Sequence, residues 1–469
     1  MQSRHEITNQ TLTVLFLALI FWLPLPLGSK RAWAWSIMEI WSFLLAIAVL
    51  VQACRHRLSI PGSLATARPV LCLLTLFLLW TGIQLIPLPY SVLQFIAPHA
   101  AELLAASDPA GFASIALDPD LTAKSLLKGI AYVTIMLLML ILMDSHKKIR
   151  WFAYTVLAAG LFQAAYGSYM ALSGIEYSFF IEKQRHLNSA TGTFLNRDHL
   201  AGFLEMSLAV GIGLMISNLS NARAIGWRNR LRKLVETLIS PKALIRLTLI
   251  IICIGLILSK SRMGNSAFFS SLLISGVLFL LISRHATRST SIFLISLIVL
   301  DILLVGSWVG IGKVVDRLEN TNMVVEHRDE VDRDTLTMIA AQPFTGIGAG
   351  NFSSVFPNYQ QPDIWENYYH AHNDYLEFMS ESGLIGVLPL ALAVLYCLFL
   401  SVKTMRQRRS PLMLGMAFAG FMGVLSILIH STVDFNLQIP SNAVMFLLLM
   451  SLTIISASMK SPRRRRAHH

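Results

Sequence analysis

Twelve apolar stretches limit what this chain can fold into. They lie near residues 11–28, 35–53, 69–87, 122–143, 149–172, 198–218, 245–261, 264–283, 290–311, 384–402, 411–430 and 441–459. A bilayer core about 30 Å thick asks for about 20 predominantly apolar residues in one helix. Within that core a helix satisfies its own backbone polar groups, which water cannot do. Charged residues make up only 14% of the chain, whereas a soluble domain carries about 25%. The sequence therefore predicts an all-α, polytopic membrane protein with about 12 transmembrane helices and a large outer loop carrying short helices.

Charge sets the orientation. An even number of spans puts both termini on one side. With the termini in the cytoplasm, the cytoplasmic segments hold most of the 38 Lys and Arg but only three acids, Glu6, Asp144 and Glu236. Basic residues collect on the cytoplasmic side of membrane proteins. The same rule explains the net charge of +12 without a nucleic-acid partner. The tail Arg463–Arg466 reads as an anchor to anionic membrane lipid. Lys30 and Arg31 are the exception, two bases on the outer face. Cys54, Cys72, Cys253 and Cys397 lie in or beside apolar runs and form no CxxC pair, so they read as small hydrophobes. The stretch Leu12–Leu27 shows no small-residue cleavage site and reads as a retained first helix.

Four outer segments follow from this topology: 88–121, 173–197, the long loop 312–383 and the short turn 430–436. The chain thus divides into 1–311, with nine spans, the loop 312–383, and 384–469, with three spans and the basic tail. A helix is expected over Asp329–Ala341, stopped by Pro343 and the glycines after it. Gly346–Gly350 has the glycine density of a nucleotide loop. It lacks the flanking strand–helix–strand unit and the GxGxxG spacing, so it reads as a turn.

Polar residues interrupt the apolar pattern at three points on the outer face: Thr193–His199, Ser259–Asn265, and Tyr368–Glu377 together with His430 and Asp434. Arg197 and Arg262 offer planar donor forks that match phosphate oxygens two at a time. Taken singly, each also fits a helix-end arginine snorkelling to lipid headgroups. His372 is the candidate base, since an imidazole titrates near neutral pH, with Asp374 or Glu377 to orient it; a structural role at the start of the next helix is the plainer alternative. His370 and His372, completed by His430 and Asp434, would be an unusual metal set. No HExxH or CxxC accompanies them, and no metal is expected. Intramembrane acids are normally paired or functional, so Asp301 and Glu205 keep a secondary transporter open as an alternative. Against it, the sequence has no internal repeat and its polar groups cluster at one surface.

Read together, these motifs resemble the O-antigen ligase and polymerase family of bacterial membrane glycosyltransferases. The resemblance rests on Pro343–Phe352, His372-Asn373, and Gly383-Leu384-Ile385-Gly386. Ser261-Arg262, Thr193–Arg197 and His430–Phe435 also look like family positions. It covers roughly residues 190–440. The resemblance implies an inner-membrane enzyme that takes a glycan from an undecaprenyl-diphosphate carrier at the periplasmic face. The glycan passes to lipid A–core, to another growing glycan or to a protein hydroxyl, with neither metal nor nucleotide cofactor. It also implies His372 as the essential histidine and Arg262 and Arg197 as the essential arginines. His370, Asn373, Asp374, His430 and Asp434 would support them.

Overall fold

The computed structural model describes residues 2–55, 61–105, 111–219, 241–284, 287–308 and 328–459. Its helices are α1 (Gln2–Trp22), α2 (Ala32–Cys54), α3 (Ser63–Ile83), α4 (Tyr90–Ile96), α5 (Pro98–Ala105), α6 (Pro119–Leu142), α7 (His146–Ser173), α8 (Arg197–Asn218), α9 (Pro241–Leu258), α10 (Arg262–Ile282), α11 (Arg288–Trp308), α12 (Arg328–Ala341), α13 (Phe352–Val355), α14 (Asp374–Gln407), α15 (Pro411–His430) and α16 (Pro440–Ser458). Each of the twelve apolar stretches overlaps one long helix, but 11–28, 69–87 and 245–261 run several residues past the ends of α1, α3 and α9, and 309–311 lie outside the described residues. Among the described residues, eight helices are long and apolar enough to cross a membrane, and α1, α9 and α11 contain shorter apolar stretches. The segments 223–240, 312–327 and 463–466, and the side chain of Asp301 in α11, lie outside the described residues.

The interior is built on α8, α15 and α16. Their apolar windows are 94%, 83% and 83% buried, against 28% for α2 and 22% for α3. In hydrocarbon, helices associate through close packing of small residues. Gly213 of α8 and Gly415 of α15 meet backbone to backbone, and a Cβ on either would run into the other's carbonyl. At the periphery Ile40, Leu44 and Ile47 of α2 recur at helical spacing and stay exposed, as a lipid-facing stripe does.

Above this bundle the outer segments fold onto each other. The short helices α4 and α5 sit beside two antiparallel two-residue strands, β1 (Leu88–Pro89) and β2 (Phe112–Ala113). A second such pair is formed by β3 (Tyr177–Ser178) and β4 (Ile181–Glu182). The helix expected at 329–341 is α12. Its Val331 and Met338 pack with Ile347, Phe352, Phe356 and Ala371 in a small separate core.

The helix that follows this loop begins ten residues earlier than its apolar run suggests. Asn373 caps α14, its side chain accepting from the amides of Tyr375 (3.1 Å) and Leu376 (3.3 Å). At Gly383 the helix is broken, with φ 60° and ψ −176°, a conformation open mainly to glycine. The freed backbone groups find partners in the glycine-rich turn. Ile347 N–H donates to Ser380 O (3.0 Å) and Gly348 N–H to Glu381 O (2.9 Å), while Leu384 N–H donates to Pro343 O (2.9 Å). The buried amide of Gln84 donates to the carbonyls of Thr345 (2.9 Å) and Glu381 (3.0 Å) and accepts from Ala349 N–H (3.2 Å). Irregular backbone near a membrane survives only where protein satisfies it in this way. The turn at 346–350 thus locks the end of the loop to the broken helix and fixes where α14 starts.

Candidate functional site

The site forms where the start of α14 meets the turn between α15 and α16. Asp374 ties the two together. Its backbone N–H donates to Ser431 O (3.0 Å), and its carboxylate accepts from Ser431 Oγ (2.6 Å) and Leu437 N–H (3.1 Å). His372 is held just before α14 with φ 55°. A non-glycine residue in that region costs on the order of 1 kcal/mol or more, and such residues cluster at functional sites.

Phe435 is the hub of the aromatic contacts. His370 stacks on it (4.2 Å between centroids, 17° between planes). His372 and His199 approach edge-on at 4.8 and 4.6 Å, and the Lys30 ammonium lies 5.1 Å from the ring centre. Beneath the ring the Asp434 carboxylate faces three imidazoles: His372 Nδ1 at 3.9 Å, His199 Nε2 at 4.0 Å and His430 Nε2 at 3.7 Å. These separations are longer than direct hydrogen bonds. Asp434 itself accepts from the Asn436 side chain (3.1 Å). His430 Nδ1 meets Glu205 Oε1 at 2.8 Å, and the Ser426 hydroxyl donates to the same carboxylate. Glu205 therefore has a full structural explanation as the buried partner of His430.

The two loop histidines differ. His370 Nδ1 lies 2.7 Å from Glu377 Oε1, and Glu377 also accepts from Ala371 N–H (2.9 Å). The buried Nδ1 of His372 has no hydrogen-bond partner among the described residues. Burial, with the nearby Arg328 guanidinium, pushes its pKa down to about 3. Burial and Lys30 push His370 well below its usual range. Both rings are therefore neutral at physiological pH, the state a proton acceptor needs. An anion bound beside them would raise their basicity.

Asp434 titrates the other way. Burial raises it to about 7, so it is a carboxylate above that pH and neutral below it. Its charge is what would stabilise an imidazolium on His372. Any reaction that draws a proton through His372 should therefore slow as pH drops through about 7. Asp434→Asn should be slower throughout and lose that inflection. A variant with the wild-type pH profile would remove Asp434 from the site.

Arg197 and Arg262 occupy equivalent places. Each is the first residue of a long helix, after the caps Asn196 and Ser261. The two helix starts adjoin, because Gly264 packs against Ala201 and Glu205 of α8. A cation at a helix N-terminus opposes the helix dipole. The same N-terminus favours a bound anion, so neither arginine is placed to stabilise its own helix.

A cavity of about 910 Å³ lies between α3, α6, α14 and α16, and His370 and Lys30, which both meet the Phe435 ring, line it. Of the site residues singled out from sequence, His370, Asp374 and Glu377 line it. His372, Asn373, Arg197, Arg262, His430 and Asp434 do not. Lys30 and Arg31, the two bases that broke the charge rule, are in its wall, so their misfit was a signal of the site. Sequence reasoning also missed His199, which sits in the Thr193–His199 motif already noted. Arg328 was missed too; it donates to Val433 O (2.9 Å) and holds the turn. No sequence pattern marks it.

Among the described residues no group of three or more His, Cys, Asp or Glu is arranged to hold a metal ion. No curated protein matches the chain. The sequence pattern of the family described as O-antigen ligase matches residues 247–391. That span includes Arg262, α12, the glycine-rich turn, both loop histidines and the break at Gly383. Over that part of its length the chain is similar to the O-antigen ligase family.

Proposed function

We propose that this multi-pass membrane protein is a glycosyltransferase that moves a glycan from undecaprenyl diphosphate to an acceptor hydroxyl at the periplasmic face of the inner membrane. The family match supports O-antigen ligase or polymerase-type function in general. The observation that carries the finer reading is the shared turn at Phe435. The Phe435 ring meets His372, whose Nδ1 makes no hydrogen bond among the described residues, and His370, which lines a lipid-sized cavity.

In this reading His372 takes the proton from the acceptor hydroxyl as its oxygen attacks the anomeric carbon. The bond from that carbon to the diphosphate breaks, and undecaprenyl diphosphate leaves with the electron pair. Arg197 and Arg262 meet the charge that grows on the leaving oxygens, and Asp434 meets the charge that grows on His372. His370, held by Glu377, shapes the sugar side of the site, while Asn373, Asp374 and His430 hold the turn in place. Residues 1–311 supply nine spans together with Arg197 and Arg262, 312–383 carry the catalytic motif, and 384–469 close the bundle. Both termini are cytoplasmic.

The test is transfer by purified protein from a polyprenyl-diphosphate-linked glycan to lipid A–core or to a second carrier-linked glycan, with excess chelator present. Turnover should persist in chelator, because the charge is met by arginines. No transfer to either acceptor would overturn the reading. A deletion strain separates the two activities: loss of every attached chain means ligase, and single repeat units left attached mean polymerase.

A further inference from the structure

We propose that Glu205 is a positioning residue for the proton acceptor, acting through His430 on Asp434, the carboxylate that His372 faces. This rests on the reading of His372 given above. The buried pair of Glu205 and His430 then has a task beyond holding two helices together.

The four groups form a chain across the bundle. Glu205 is fully buried and lies about 12 Å along α8 from its first residue. Ser426 and His430, one turn apart on α15, take one of its oxygens each. The Ser426 hydroxyl donates to Oε2, and His430 Nδ1 lies 2.8 Å from Oε1. On the far side of that ring, Nε2 lies 3.7 Å from Asp434 Oδ2. The other oxygen of Asp434, Oδ1, is turned toward His372 Nδ1 at 3.9 Å and His199 Nε2 at 4.0 Å. His430 Nε2, Asp434 Oδ1, His372 Nδ1 and His199 Nε2 are all buried and make no hydrogen bond among the described residues. Catalytic hydrogen bonds are often long before substrate binds and tighten with it. Asp434 thus has one oxygen toward His430 and one toward the candidate base.

A clasp between α8 and α15 does not by itself call for charge. Neutral hydrogen-bonding side chains join membrane helices, and a buried ion pair is a costly substitute. The surroundings of His430 do call for it. A neutral ring donating through Nδ1 to Glu205 would point the lone pair of Nε2 at the Asp434 carboxylate. With a proton on each nitrogen, the ring offers a donor to both acids. Glu205 therefore keeps His430 an imidazolium, and the imidazolium favours the anion of Asp434. The other charges around Asp434 come from several elements. Burial pushes its carboxyl up and His430 pulls it down, while Asp198 of α8 raises it and Arg328 of α12 lowers it, which leaves it at about 7. Lys30, over the Phe435 ring, and Asp374, at the start of α14, also interact with it. Without Glu205 the largest of the lowering charges would be lost, and with it the anion that stabilises a proton on His372.

Two titrations of the full protein in detergent, wild type against Glu205→Gln, test this. One follows the infrared band of the protonated Asp434 carboxyl, identified by its absence in Asp434→Asn, and needs no substrate. The other follows glycan transfer against pH. An opposite charge at such a distance moves a carboxylate by about 1–3 pKa units. In Glu205→Gln both midpoints should therefore move up from about 7 by about 1–3 pH units. Transfer near neutral pH should fall by about tenfold or more, and alkaline pH should restore the wild-type rate. The sign is diagnostic, because losing the acid while His430 stayed charged would move the midpoint down. If the single variant does not fold, Glu205→Gln with His430→Gln, neutral at both positions, carries the same expectation. A midpoint that stays in place or moves down would overturn the proposal, as would a folded variant whose lost transfer no pH restores. An infrared midpoint that moves up in a protein that transfers glycan to no acceptor would leave the link from Glu205 to Asp434 standing and remove the glycosyltransferase reading.

Discussion

Replacing His372 by alanine should lower glycan transfer by about 10²- to 10⁴-fold, the usual contribution of a positioned general base. That is about 3–5 kcal/mol of barrier. His372 is chosen because its Nδ1 is buried without a hydrogen-bond partner among the described residues, while Asp434 lies 3.9 Å away. Its left-handed backbone means that the fold holds the ring in place at a cost. His370→Ala should lose far less, because Nδ1 of that ring is already committed to Glu377 and its face to Phe435. The measurement is transfer in vitro with matched amounts of each folded variant. A silent His372→Ala beside a dead His370→Ala would assign the chemistry to the histidine–glutamate pair instead.

Arg262→Lys should lose most activity although it keeps the charge. Removing one donor aimed at developing charge costs about 10²- to 10³-fold, and an ammonium cannot reproduce a bidentate fork. The local fold does not depend on this side chain. The turn before α10 is braced by Ser259 Oγ accepting from Ser261 N–H (3.2 Å), Ser261 Oγ accepting from Gly264 N–H (3.1 Å) and the Asn265 amide donating to Ser261 O (2.7 Å). Arg262 itself is exposed. The loss should therefore appear in transfer, with the melting temperature in detergent unchanged. Normal transfer by Arg262→Ala would make the residue a lipid-headgroup anchor only.

The sequence by itself determined the helices, because an apolar run of membrane length leaves the backbone only its own hydrogen bonds. Each stretch overlaps a helix for that reason, although among the described residues only eight of these helices are long and apolar enough to cross a membrane. It also marked the histidine motif, the two arginines and the Gly346–Gly350 turn, since polar or glycine-rich breaks in an apolar chain stand out. Only the tertiary structure decided how these meet. The turn at 346–350 bonds to the helix break 33 positions on and to the amide of Gln84, 265 positions before Ala349, and no local pattern pairs residues so far apart. The true start of α14 depends on Asn373 as a cap and on Asp374 reaching Ser431, not on hydropathy. Phe435 closed a motif already marked in the sequence, but only the fold brought three histidines and Lys30 onto its ring. Lys30 and Arg31 broke the charge rule in one dimension. In three dimensions they line a cavity whose walls come from four helices, and burial and charge balance are properties of that assembly, not of the segments that build it.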